Sequence, residues 1–148
     1  MTKSHESEKN ESATERRKPV WPELEDLELL RDASADPTER AFALDRLASD
    51  GFFYFDPEEV EPLAWELTTH EEDTLRGTAI KRLLMKSSDS PRASQYLERG
   101  IEALHRDPSS NVRQDAAFGL FCYAARRPEV RERVMKELMR RVADEGEE

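Results

Sequence analysis

Few residues in this sequence are of types that do chemistry, and their spacing does not assemble them into a reactive set. The histidines are His5, His70 and His105. His5-Glu6 and His70-Glu71 each join two metal-ligand types, but no spaced set of Cys and His accompanies them, and one pair cannot complete a metal's ligand shell. His105 falls at the end of an expected helix, where a cationic side chain suits the negative end of the helix dipole. A cap therefore describes it better than a general base. The one cysteine, Cys122, sits between Phe121 and Tyr123 and reads as a small core residue. Alone it forms no internal disulfide, and it fits a reducing compartment. The sequence holds no glycine-rich phosphate loop and no serine or cysteine beside an activating base. Catalytic, cofactor and metal sites are accordingly not expected. The regular feature is a row of arginines, Arg40, Arg76 and Arg113, which can be read as structural or as a phosphate-binding row.

Those arginines belong to a longer repeat. Arg113, Ala116 and Leu120 have the spacing R-x-x-A-x-x-x-L, which recurs at Arg76, Ala79, Leu83 and at Arg40, Ala43, Leu47. A helix returning at a fixed period marks a stacked helical array. With each arginine as position 0, positions +3, +4, +7 and +8 are apolar in every copy. They are Ala43, Leu44, Leu47, Ala48, then Ala79, Ile80, Leu83, Leu84, then Ala116, Ala117, Leu120, Phe121. These columns are the expected core.

The stretch Asp107-Pro108 through Val112-Arg113 to Leu120 resembles the second-helix signature of HEAT repeats, in which an Asp-Pro turn leads into Val-Arg, small residues and Leu. The resemblance is good over 107–121, fair over 70–84 and loose over 36–48. Glu39 stands where the family prefers an apolar residue, and His70 to Asp73 lacks the Asp-Pro turn. The resemblance implies an all-α, right-handed α-α solenoid of about three HEAT-like helix pairs plus a C-terminal capping helix. The short period points to the bacterial-style repeat. It further implies that the three arginines form an inter-repeat Asp/Arg ladder and that the second helices line the concave side. Enzymes of this fold class that bind two irons need several His-Glu pairs, and only one lies in the folded part.

The positioning elements follow from periodicity and caps. Residues 1–19 carry two apolar residues besides Pro19 and are expected to be a disordered polar tail. The domain is expected over 20–143, with 144–148 frayed. Helices are expected at Val20–Ala33 (Leu24, Leu27, Leu30 and Ala33 inward), from Pro37, and at Glu61–Thr69, Glu72–Lys86, Pro91–His105, Asn111–Arg126 and Glu129–Ala143. Asp36-Pro37, Ser90-Pro91 and Asp107-Pro108 each read as an N-cap followed by proline at the first helical position. Asp56-Pro57 reads as a separate turn, because Pro62 would break a helix begun there. Phe52 to Phe55 is either a buried plug between repeats or an exposed contact loop.

Charge supplies the functional expectation. Residues 20–73 hold 17 acids against 3 basic residues, whereas 74–148 hold 12 against 15. The acidic half would repel a nucleic acid backbone, no apolar run approaches the ~18 residues of a membrane span, and the charged N-terminus is unlike a signal peptide. The expectation is a cytoplasmic, non-catalytic adaptor, inhibitor or immunity-type protein that binds a basic protein. Alternatives are a self-assembling subunit, acidic end to basic end, or nucleic-acid contact through the basic half. Positions +2, +5 and +6 are expected to form the binding strip: Phe42, Asp45, Arg46, Thr78, Lys81, Arg82, Asp115, Phe118 and Gly119. Glu71, Glu72 and Asp73 are expected to add attraction, with Glu58, Glu59, Glu61 and Glu66 beside them.

Overall fold

The computed structural model describes residues 21–48 and 58–146, with side chains from Leu24 onward. The expectations for the N-terminal tail, Asp56-Pro57, the Phe52–Phe55 loop and the last two residues fall outside the described residues. Within them the regular structure is entirely helical: α1 (Trp21–Arg31), α2 (Pro37–Leu47), α3 (Val60–Leu67), α4 (Asp73–Lys86), α5 (Ala93–Arg106), α6 (Ser110–Arg126) and α7 (Arg131–Gly146), with one 3₁₀ turn at Pro128–Val130 before α7.

The caps are only partly those expected. Asp36 accepts hydrogen bonds from the amides of Thr38 and Glu39, and Pro37 opens α2, so this N-cap is as read. At Ser90-Pro91 the pair forms a turn instead: Ser90 Oγ accepts from the Arg92 amide, and α5 starts at Ala93. Asp107-Pro108 likewise precedes the helix. Ser109 is the N-cap of α6, its hydroxyl accepting from the Val112 amide, while Asp107 ends α5. In both places the Asp or Ser carboxylate or hydroxyl closes a turn two residues on, a competing use of the same short polar side chains.

Helices pack as α1 on α2, α3 on α4 and α5 on α6. In addition α4 packs against both α2 and α6, which do not touch each other, so α2, α4 and α6 form a row with α4 in the middle. α7 lies on α5 and α6. The core follows the repeat: Leu44, Leu47, Leu75, Ile80, Leu83, Leu84 and Leu120 are buried, joined by Leu30, Val60, Tyr96 and Leu104. Several outer positions depart from the expected stripes. Leu24, Ala33 and Val142 are exposed, and Leu63, Ile101, Val130 and Leu138 are half-buried. Along α7 the apolar spacing is present, but only Val134 is fully covered. No helix among the described residues is long and apolar enough to cross a membrane.

Burial also changes one carboxylate's role. Glu61, expected among the outward acids, is buried at the start of α3 and accepts hydrogen bonds from the Tyr96 hydroxyl and, at 2.5 Å, from Ser90 Oγ. The Trp65 and Tyr96 rings pack at 5.4 Å beside it. Burial first, and then the Glu61 hydrogen bond, pushes the Tyr96 hydroxyl well above its ordinary pKa.

Candidate functional site

The arginines at position 0 are tied to backbone carbonyls at helix ends and in the turns between helices. Arg40 donates to the Leu30 carbonyl from Nε at 3.2 Å and Nη2 at 2.7 Å. Arg76 Nη1 donates to the carbonyls of His70 and Glu71 at 2.8 and 3.0 Å, and Arg113 Nη1 to those of Asp107 and Pro108 at 2.9 and 3.2 Å. The last two copies thus reach back six and five residues in the same way. Arg76 also forms a fork with Asp107, at 2.7 and 2.8 Å. Burial works against the charged Asp107, but the Arg76 guanidinium and the Ser109 amide outweigh it and hold its pKa below the ordinary value. Arg99, Arg126 and Arg127 serve the same purpose elsewhere, donating to the carbonyls of Thr68, Met85 and Ser88. Cationic groups on helix C-termini satisfy carbonyls that have no intrahelical partner.

The strip read from positions +2, +5 and +6 is largely an internal seam. Asp45, at +5 of α2, pairs with Arg82, at +6 of α4, at 2.8 Å. Lys81, at +5 of α4, lies 3.7 Å from Asp115, at +2 of α6. Burial raises the Asp115 pKa, with Lys81 opposing. Arg46 clasps Asp26 of α1, with its nearest contact at 2.7 Å. Thr78 is only 6% exposed, and Gly119 is buried, so neither is free. Asp73 accepts from Ser109 Oγ at 2.9 Å. The expected binding residues Asp45, Arg46, Lys81, Arg82, Asp115, Thr78 and Asp73 are therefore engaged within the chain. The sequence register does not separate a helix face that meets solvent from a flank that meets the adjacent helix in the row.

A simple rule describes that row. One flank of each second helix, positions +1, +4, +5 and +8, faces the next second helix, and positions −1, +2 and +6 face the previous one. Ala41, Leu44 and Ala48 of α2 are covered, as are Gly77, Ile80 and Leu84 of α4. Contact across α4 and α6 is close: a Cβ on Gly119 would stand 2.9 Å from Leu84 Cδ1 and 3.2 Å from Lys81 Cα. On the other flank Leu75 and Val112, both at −1, are buried.

At the two ends of the row Phe42 of α2 and Phe118 and Phe121 of α6 are exposed, whereas Gln114 and Ala117 of α6 share a cleft with Leu138, Arg141 and Val142 of α7. On α2 the −1, +2 and +6 positions are Glu39, Phe42 and Arg46, with Phe42 56% exposed. On α6 the corresponding opposite flank is Gln114, Ala117, Phe118 and Phe121. Phe118 is 53% exposed and Phe121 60%, so Phe121 and the half-buried Ala117 leave the core expected for them. Met135 and Met139 of α7 are exposed as well. No family model, curated protein or solved structure matches the chain.

The surface also carries an uneven supply of free charge. In the N-terminal half Glu25, Glu28, Glu39, Glu66, Glu71 and Glu72 are exposed and meet no cation among the described residues. Glu59 pairs with Arg31, and Glu58 is also engaged. From α4 onward most cations are taken by carbonyls or carboxylates, including Arg133 by Glu98, Lys136 by Glu132 and Arg140 by Glu137. Arg92, Arg106 and Arg131 meet no carboxylate among the described residues. A concavity of about 750 Å³ runs along α5 past Trp65, Arg99, Ile101, His105 and Arg106 to Arg140. His105 there contacts Glu137 at 2.5 Å, tying α5 to α7. Among the described residues no three His, Cys, Asp or Glu side chains are grouped to hold a metal ion.

Proposed function

We propose that this chain is a short HEAT-like α-solenoid that works as a non-catalytic protein-binding module. In this reading its acidic N-terminal half takes a basic protein surface, with Phe42 as the apolar anchor. The observation that carries the reading is the open flank of α2: an exposed phenylalanine in a half of the chain whose free charges are carboxylates. An aromatic ring amid polar groups is a common hot-spot composition, and unpaired like charges draw an opposite partner at long range. The repeated flank rule at α2/α4 and α4/α6 supports the solenoid.

The engagement of most described arginines by backbone carbonyls or carboxylates weighs against nucleic acid as the partner, because a phosphate backbone needs cations free to face it. Cys122, half-buried and without a disulfide, suits the cytoplasm. The test is affinity capture from native extract with the wild-type chain, Phe42→Ala, and a Glu71→Lys/Glu72→Lys double variant, with Arg92→Ala as control. The reading expects a basic protein retained by wild type and control, and depleted by both test variants. Equal capture by all four would overturn it.

A further inference from the structure

The surface suited to the acidic flank is found on the same chain. Resting on the reading above, we infer that the α6 flank of one copy receives the α2 flank of a second copy, joining molecules head to tail. Inside the molecule, each junction sets the +5 residue of one second helix against +2 or +6 of the next. Asp45 meets Arg82, and Lys81 meets Asp115. Carried across two copies, the same rule sets Phe118, at +5 of α6, against Phe42, at +2 of α2. Two of the three positions that carry ladder charges inside the row, +5 and +2, carry phenylalanine at its ends, and both rings are about half exposed. Phe121 adds apolar area at +8, where Ala48 and Leu84 are buried.

Charge agrees with this orientation. Residues 21–48, which form α1 and α2, hold 8 acids and 3 basic residues, whereas residues 110–146, from the start of α6 to the end of α7, hold 8 basic residues and 6 acids. Opposed ends favour a heterologous contact over a face meeting its own copy, and such a contact propagates unless it closes into a ring.

The experiment is sedimentation velocity on the full chain at low salt, up to about 1 mM, where even weak contacts populate. Wild type is expected to rise from 17.1 kDa past a dimer as concentration increases, and to fall back at high salt. Phe42→Asp and Phe118→Asp each block one flank and alter an exposed ring, so both should keep the wild-type melting temperature. Each alone is expected to stay monomeric. Mixed, they leave one intact flank apiece and should form a one-to-one dimer and nothing larger. A wild type that stays at the monomer mass overturns the inference. So does either variant assembling alone as wild type does, or a mixture that gains no mass. If the chain is monomeric yet Phe42→Ala still loses a captured basic protein, the inference fails while the binding reading stands.

Discussion

Glu61 and Arg76 are the residues where burial turns a charge from surface decoration into structure. Glu61 sits in a run of acids, and nothing in its local spacing separates it from Glu58 or Glu59; its partners Ser90 and Tyr96 come from beyond the next helix. Removing the tyrosine hydroxyl leaves a buried carboxylate short of a donor. Tyr96→Phe is therefore expected to destabilise the fold by roughly 1–3 kcal/mol in chemical denaturation. The Arg76–Asp107 fork gives a pH signature. Because the folded pKa of Asp107 lies below its ordinary 3.8, the stabilisation it contributes is present above that value and disappears as pH falls through the folded pKa. The stability gap between wild type and Asp107→Asn should stay level from about pH 7 to 5 and shrink below about 4. A gap that does not change with pH would show that Asp107 is not held by Arg76 as a carboxylate.

At the scale of elements, helix existence was legible because the apolar columns and the Asp36 cap are local signals. The boundaries at Ser90 and Asp107 were not, since a short polar side chain closes a turn or caps a helix depending on which amide it reaches. Burial on the flanks was legible least, because it depends on which helix lies alongside. Glu39 marks this: it breaks the apolar pattern of Leu75 and Val112 at the one copy with no described second helix before it. The glycine at 119 is the other mark. Glycine inside a helix ordinarily gains about 1 kcal/mol on replacement by alanine. Here the new methyl would press on the α4 backbone at Lys81, so Gly119→Ala is expected to destabilise by roughly 1–3 kcal/mol. A melting temperature at or above wild type would show that α4 and α6 are not so close. The columns can be checked directly as well. Leu83→Ala should lose roughly 2–5 kcal/mol as a buried leucine, whereas Phe121→Ala, on the open flank, should change stability by less than about 1 kcal/mol. Equal losses would place Phe121 back in the core.

For the whole molecule, the repeat frame announced a row of second helices, and among the described residues α4 packs on both α2 and α6. The binding strip was only partly legible, because the sequence shows which positions avoid the core but not which of them pair with one another. Seven of the eleven residues chosen for it are engaged inside the chain, leaving Phe42, Phe118, Glu71 and Glu72. The functional reading therefore rests on an aromatic anchor in an acidic half. The two features should separate in kinetics, since contact at a hot spot slows dissociation while distant charge speeds encounter. The decisive measurement is surface binding kinetics against the basic protein that wild type captures, at low salt, with folding checked by melting temperature. Phe42→Ala should dissociate at least about 10-fold faster with its association rate little changed, and Glu71→Lys/Glu72→Lys should associate several-fold more slowly with dissociation little changed. If both variants are folded and match wild type in both rates, the acidic α2 flank is not the binding surface.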